Sequence, residues 1–332
     1  MKMKKLLCLS LSVLMVISFV GCKKEAETLK FGMGVVTEVS KASNAEADAN
    51  GQGKATTNVA VVTVDAAGKI VACQLDTADA TVAYTGDGKA IANESFATKY
   101  ELGDAYNMVA YGGSVKEWYE QADAFESVVC GKTLDEVKAL VAGEDKGTEE
   151  VINAGCTITI VEFVQAIEKA YNNAVASDVT ADHTLKLGVS TAQSCKDATE
   201  DATGQNQLET TFLAVALDAE GKVVAATSDC VQVKFTFDAT GASTYDLTKA
   251  VSSKKELGTN YNMAAYGTDL NGDGVVKEWN EQAAVFDAAC AGKTVAEITG
   301  FANADGYGNA DLQTEGCTMG IDGFVKAAGK LK

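Results

Sequence analysis

The stretch ELGDAYNMVAYG, from Glu101 to Gly112, returns almost unchanged as ELGTNYNMAAYG from Glu256 to Gly267. A second stretch, VKEWYEQA from Val115 to Ala122, returns as VKEWNEQA from Val276 to Ala283. Shorter matches, such as a Gly-Cys-Thr tripeptide, follow in the same order in both halves. Matches that keep one order along a chain indicate a tandem duplication. We therefore predict two homologous domains.

We place these domains at residues 28–176 and 184–332, joined by a short polar linker at 177–183. In each domain, two β-rich runs flank an Asp-Ala-x-Gly turn, which predicts a β-hairpin. Alternation of apolar and polar residues from Val231 to Phe237 predicts a half-buried strand. Because strands and helices do not alternate regularly, the predicted fold class is α+β, with an antiparallel sheet packed against helices in each domain.

Apolar stripes at helical spacing predict the helices, and the stripes are duplicated as well. The first stripe and its repeat are Trp118, Ala122, Phe125 and Val129, then Trp279, Ala283, Phe286 and Cys290. A Thr-x-x-Glu capping box opens a second helix at Thr133 and again at Thr294. A last helix in each domain follows the Gly-Cys-Thr tripeptide.

The N-terminus has the features of a lipoprotein signal. Three lysines precede an apolar run that is too short for a comfortable membrane span, and Phe19-Val-Gly-Cys22 resembles a bacterial lipobox. We predict a signal peptide at 1–21, lipidation of Cys22 and a linker at 22–27. The domains are then expected at the extracytoplasmic face of the cell membrane, with the lipid as membrane partner.

Composition excludes several classes of function. The formal net charge is −18, and the chain contains no Pro and, among its 28 basic residues, no Arg. Such a surface repels nucleic acid, so no nucleic-acid partner is expected. The one His and the scattered Cys lack the spacing of a zinc or iron–sulfur site, and a Ser-His-Asp or Cys-His triad is not expected.

The order of pieces in each repeat resembles the FMN-binding domain of the Rnf/Nqr respiratory complexes and of flavinylated lipoproteins used in extracellular electron transfer. In that family a Glu-containing, Gly-rich loop precedes a segment whose Thr carries FMN through a phosphoester. The resemblance implies attachment at Thr157 and Thr318, each two residues after a Gly. It also implies flavin-lining residues in the earlier loop and beside each Thr: Glu101, Gly103, Glu256, Gly258, Gly155 and Gly316.

Physical chemistry offers a reason for that arrangement. A Gly before the Thr would let backbone N–H groups approach a phosphate at a helix N-terminus. The alternative is that Thr157 and Thr318 are plain helix caps. The neighbouring Cys156 and Cys317 are predicted to be small buried side chains.

One insertion distinguishes the second repeat. The segment DLNGDG from Asp269 to Gly274 places oxygen ligands at positions 1, 3 and 5 and Gly at position 6, like the start of an EF-hand calcium loop. The predicted Ca²⁺ ligands are Asp269, Asn271, Asp273 and the Val275 carbonyl. The twelfth position is Asn280 rather than the bidentate Glu, so the alternative is a polar turn.

These observations predict a surface lipoprotein with two FMN-binding-like domains that carries electrons rather than converts a substrate. A flavin transferase and redox proteins are its expected partners. The alternative is a non-redox, duplicated binding or interaction lipoprotein stabilised by calcium.

Overall fold

The computed structural model describes residues 26–143, 145–267, 269, 272 and 274–332. Within them the chain is α+β, with antiparallel sheets packed against helices, as predicted. The predicted signal peptide, Cys22 and the calcium ligands Asn271 and Asp273 lie outside the described residues. None of the described helices is long and apolar enough to cross a membrane.

The first repeat begins with three long strands and continues with short helices and strands. Its elements are β1 (Lys30–Ser43), β2 (Gly51–Val64), β3 (Ile70–Tyr84), β4 (Ala90–Ile91), α1 (Lys99–Leu102), a 3₁₀ helix (Gly103–Tyr106), α2 (Met108–Gly112), α3 (Trp118–Val129), α4 (Leu134–Lys138), β5 (Val141–Ala142), β6 (Lys146–Gly147), α5 (Glu149–Ala154), α6 (Val161–Asn172) and β7 (Val175–Ala176). The main sheet has the order β4-β3-β2-β1-β7, and β5 pairs with β6.

The second repeat has the same order of long strands and helices. Its elements are β8 (Thr184–Lys196), β9 (Gly204–Leu217), β10 (Val223–Phe237), α7 (Lys254–Leu257), a 3₁₀ helix (Gly258–Tyr261), α8 (Met263–Tyr266), α9 (Trp279–Cys290), α10 (Val295–Thr299), α11 (Ala310–Thr314) and α12 (Asp322–Ala328). Its sheet has the order β10-β9-β8.

The predicted hairpins form, and their strands are longer than the β-rich runs alone indicated. In the first repeat, Asp65 closes the turn between β2 and β3 by accepting the Lys69 N–H at 2.7 Å. The alternating segment from Val231 to Phe237 is the second half of β10 rather than a separate strand. Its alternation is confirmed, since Val231, Val233, Phe235 and Phe237 are all buried.

The predicted helical stripes are confirmed in both repeats. Phe125 on α3 and Phe286 on α9 are fully buried against the sheet of their own repeat. The two capping boxes are confirmed as well, because Thr133 accepts the Glu136 N–H and Thr294 accepts the Glu297 N–H. Local sequence therefore fixes where these helices begin and which face they bury.

The two sheets pack face to face, so the two repeats share one hydrophobic core. Successive residues of a strand point to opposite faces, and in β2 both faces are buried: Val61 joins the core between the sheets, while Val62 joins the core under the helices. Strand β3 contacts β8, and β1 contacts β10. The layers are therefore helices, sheet, sheet and helices. The contact of β3 with β8 is equivalent to that of β1 with β10, so the two repeats are related by approximate two-fold symmetry.

Candidate functional site

Thr157 lies in the loop between α5 and α6, and Thr318 lies at the same place between α11 and α12. Helix α6 begins at Val161 with Ile160 as its N-cap, and α12 begins after Ile321, with no side-chain cap in either case. The alternative that the two threonines are helix caps is therefore wrong. The two threonines form their hydrogen bonds with another part of the protein instead of with the following helix.

That partner is a buried glutamine on the preceding long helix. Gln121 is fully buried, and its Oε1 accepts both the Thr157 N–H at 2.8 Å and the Thr157 hydroxyl at 3.0 Å. Its Nε2 donates to Ser114 Oγ at 2.8 Å. In the second repeat Gln282 Oε1 accepts the N–H groups of Thr318 and Met319, both at 2.8 Å. The glutamine of the duplicated Glu-Gln-Ala sequence therefore makes equivalent contacts in both repeats.

The two threonines differ in exposure. Thr157 is exposed to solvent, whereas Thr318 is only 8% exposed. Solvent therefore reaches the Thr157 residue, although its hydroxyl donates to the buried Gln121, while the Thr318 residue is covered.

The glycine before each threonine ends the preceding helix. Gly155 has φ 106° and Gly316 has φ 96°, in the left-handed region that favours glycine. The N–H groups of Gly155 and Cys156 donate to carbonyls of α5, at 3.0 and 3.1 Å. A Cβ on Gly155 would lie 2.4 Å from Lys116 Nζ. These N–H groups already donate to carbonyl oxygens of the protein. A phosphate near Thr157 would therefore have to be bound by side chains.

The cysteines beside the threonines are buried, as predicted. Cys156 and Cys317 have no exposed surface. Burial raises the pKa of the Cys156 thiol to about 11 and that of Cys317 to about 12. Both are protonated and unreactive at neutral pH.

The Glu-Leu-Gly segments lie at the ends of α1 and α7. Glu101 forms a capping box with Thr98, and Glu256 forms one with Ser253. Each glutamate also pairs with a lysine of the other repeat: Glu101 with Lys330 at 2.9 Å, and Glu256 with Lys169.

Gly103 and Gly258 end these helices with φ of 49° and 52°. Backbone conformation therefore explains glycine at both positions. Neither Glu101 nor Gly103 is among the residues that line the cavity beside Thr157.

That cavity has a volume of about 700 Å³. Its wall combines hydroxyls, charged groups and rings, including Thr157, Ser114, Lys99, Lys146, Met108, Trp118 and Phe163. Lys146 Nζ lies 3.2 Å from the Thr157 carbonyl oxygen. Lys99 Nζ lies 5.4 Å from the centre of the Tyr106 ring and 5.9 Å from that of Trp118. Such distances are typical of cation–π contacts.

The predictions from sequence missed both lysines and the glutamine. One signal pointed to Lys99, because a lysine stands two residues before the Glu-Leu-Gly segment in both repeats, at Lys99 and Lys254. Gln121 was visible in the duplicated Glu-Gln-Ala sequence. Lys146 has no counterpart that would have singled it out, since Tyr307 stands at the corresponding place 161 residues later.

The predicted calcium loop is described only in part. Asp269 accepts the Gly272 N–H at 2.7 Å and the Gly274 N–H at 2.9 Å, one on each carboxylate oxygen. Among the described residues, no group of three or more His, Cys, Asp or Glu side chains is placed to hold a metal ion. Calcium binding through Asp269 and Val275 stays a prediction.

Replacing Gln282 by Leu is expected to lower the free energy of unfolding by about 2–4 kcal/mol, because two buried N–H groups lose their acceptor. The matched variant Gln121→Leu should lower the free energy of unfolding by less, since water can reach exposed Thr157. Urea unfolding followed by tryptophan fluorescence measures both. An equal loss of unfolding free energy in Gln282→Leu and Gln121→Leu would contradict this difference between the repeats.

Comparison with known proteins adds no relative. No protein-family model matches the chain, and neither a curated protein nor a solved structure matches it.

Proposed function

We propose that this chain is a lipid-anchored carrier at the cell surface whose first repeat binds FMN, and that it passes electrons rather than converts a substrate. The observation that carries the proposal is the cavity beside Thr157, which is lined by this exposed threonine, two lysines and apolar side chains. The predicted lipid on Cys22 would hold the carrier at the membrane, next to its redox partners.

The cavity suits the phosphate end of FMN through its lysines. The chain has no Arg, so lysines are the cationic side chains left to hold a phosphate. Lys146 already contacts the Thr157 backbone, close to where a phosphate on Thr157 would lie. Because Glu38 and Glu162 line the same cavity, both lysines are needed to keep it from repelling an anion.

The cavity suits the ring end of FMN through its apolar side chains. Met108 and Ile158 are half-buried and line the wall, and Trp118 and Phe163, 3% and 4% exposed, add only a small part of their surface. Apolar surface of this kind would pack against part of a flavin ring system. Bound FMN would supply reversible electron transfer.

We infer that the first repeat alone is loaded. Both hydroxyls donate to a buried glutamine, but Thr157 is exposed to solvent whereas Thr318 is covered. For covalent loading, a flavin transferase would move the FMN phosphoryl group from a flavin dinucleotide to Thr157 Oγ1. AMP is then the leaving group, and the hydroxyl proton is released.

The test combines intact mass with flavin absorbance after co-expression with a flavin transferase. We expect one FMN increment in the parent chain, its loss in Thr157→Ala, and its retention in the matched control Thr318→Ala. Retention of the increment in Thr157→Ala would overturn the assignment of the site.

Binding of free FMN is tested separately by titration, because attachment can fail for lack of the right transferase. Lys99→Gln and Lys146→Gln are each expected to weaken FMN binding at least tenfold, and riboflavin, which lacks the phosphate, should bind more weakly than FMN. If FMN does not bind at all, the non-redox binding lipoprotein becomes the better description.

A further inference from the structure

Two cysteines of the first repeat lie where the end of α3 meets strand β3. Cys73 is on β3, is 6% exposed and belongs to the core under the helices. Cys130 is exposed and is the C-cap of α3. Both are thiols in this structure. Neither lines the candidate flavin cavity, which α3 contacts at its other end through Trp118.

Hydrogen bonds on both sides of Cys130 fix its position along β3. Before it, the Glu126 carboxyl accepts the Leu75 N–H at 2.6 Å. After it, the N–H of the next residue donates to the Ile70 carbonyl oxygen at 2.7 Å. Cys130 is therefore held beside the stretch of β3 between these two contacts, and Cys73 lies in the middle of that stretch.

The two cysteines contact each other. Burial of the sulfur raises the pKa of the Cys130 thiol, and the Cys73 N–H, which donates to that sulfur, lowers it. Burial raises the pKa of the Cys73 thiol well above its ordinary value, and Glu126 and Cys130 raise it further. A sulfur that accepts the N–H of a residue is also close to the side chain of that residue, because the nitrogen and Cβ are bonded to the same Cα.

The second repeat has the same backbone contact without the cysteines. There the corresponding glycine N–H donates to the Val223 carbonyl oxygen, again at 2.7 Å. The residues that correspond to the two cysteines are Ala226 and Ala291. Two neighbouring positions thus both carry cysteine in one repeat and both carry alanine in the other. This joint difference favours a bond between the cysteines over two unrelated thiols.

We propose that Cys73 and Cys130 form a disulfide bond in the oxidising surroundings outside the cell membrane, where disulfides persist. The bond links the C-terminal end of α3 to β3 and closes a loop of about 60 residues. A cross-link over such a loop stabilises the fold chiefly because it restricts the unfolded chain. The linked helix carries Gln121, so the bond also holds the helix of the candidate site in place. Formation of the bond does not require FMN.

The oxidant is a small-molecule disulfide. The Cys130 thiolate attacks one of its sulfurs, so that a bond to Cys130 forms, the small-molecule S–S bond breaks and one small thiolate leaves. The Cys73 sulfur then attacks Cys130, and the second small thiolate leaves. Two protein thiols lose two electrons, the small disulfide is reduced to two thiols, and the two protein protons end on them. Cys130 reacts first because it is the exposed member of the pair.

The test is peptide mapping after the folded protein is incubated with oxidised glutathione at about pH 8.5, near the ordinary pKa of a thiol. Remaining thiols are blocked, and trypsin cleaves after lysine. Cys73 then lies in peptide 70–89 and Cys130 in peptide 117–132, and neither peptide has another cysteine. We expect the two peptides to be linked, to be lighter than their sum by two hydrogen atoms, and to separate on reduction.

Alanine variants are matched controls, because alanine is the residue that the second repeat carries at both positions. Cys73→Ala and Cys130→Ala should each abolish the linked peptides, whereas Cys195→Ala, at another exposed cysteine, should leave them intact. The urea midpoint of the linked parent chain should lie about 1 M above that of the reduced chain. The double variant Cys73→Ala/Cys130→Ala should have the same midpoint with and without glutathione.

Linked peptides that fail to form in the folded protein, or that form only in urea, would overturn the proposal. A stable mixed disulfide of glutathione on Cys130, with Cys73 left as a thiol, would overturn it as well, because the second sulfur would then be out of reach of the first. FMN is absent from every one of these measurements, so this proposal and the flavin proposal fail separately.

Discussion

Replacing Phe212 by Ala is expected to lower the free energy of unfolding by about 3–5 kcal/mol and to destabilise both repeats by the same amount. Phe212 is fully buried on β9, in the core that lies between the two sheets. Its truncation leaves a cavity that borders both repeats. The effect should therefore not stay within the repeat that carries the substitution.

The chain offers a direct way to measure this. It has two tryptophans, Trp118 in the first repeat and Trp279 in the second. In a Trp279→Phe background, the fluorescence of Trp118 reports the first repeat alone. We expect Phe212→Ala to move the unfolding midpoint seen by Trp118 as far as that seen by Trp279 in the reciprocal background.

Val115→Ala is the matched control, because Val115 is an apolar side chain that is 83% exposed. Its truncation should change the free energy of unfolding by less than about 0.5 kcal/mol. If Trp118 kept the parent midpoint in the Phe212→Ala chain, the repeats would unfold independently and the shared core would not couple them.

Replacing Glu126 by Gln is expected to make the protein more stable at pH 9 by about 2–4 kcal/mol and to leave stability at pH 4 nearly unchanged. Burial raises the pKa of the Glu126 carboxyl from 4.5 to about 8. The Asp123 and Asp76 carboxylates raise it further, while the Leu75 N–H bond and Lys332 lower it.

The sign follows from proton binding. Between pH 4.5 and about 8 the folded chain keeps a proton on Glu126 that the unfolded chain has lost. Stability from this group is therefore fully present below pH 4.5 and is lost as pH rises through about 8. Glutamine keeps the acceptor for the Leu75 N–H, at 2.6 Å in the parent chain, without the buried charge.

Urea unfolding from pH 4 to 9 measures this dependence. The parent chain should lose stability across the window, and Glu126→Gln should flatten that loss. Glu220→Gln, which changes an exposed carboxylate in a turn, should follow the parent curve. A Glu126→Gln curve parallel to the parent would show that the group is ionised in the folded protein at neutral pH.

The sequence by itself determined the local elements and their duplication. The stripe through Trp118 and Phe125 predicted α3 and its buried face, and the box at Thr133 predicted where α4 begins. These signals depend on residues three or four positions apart, whose geometry a helix sets without outside help. The buried Cys156 and Cys317 also followed from their apolar character.

Only the tertiary structure decided what covers the second face of each sheet and which groups meet at the cavities. The apolar run from Val59 to Val64 indicates that both faces of β2 are buried. Any apolar layer could cover the second face, and the layer that does so comes from the other repeat. Lys146 reaches Thr157 across 11 residues, Gln121 reaches it across 36, and Lys332 reaches Leu75 across 257. Such contacts depend on how the layers pack, because side chains far apart in sequence meet only where the folded backbone brings them together. No local periodicity in the sequence encodes these contacts.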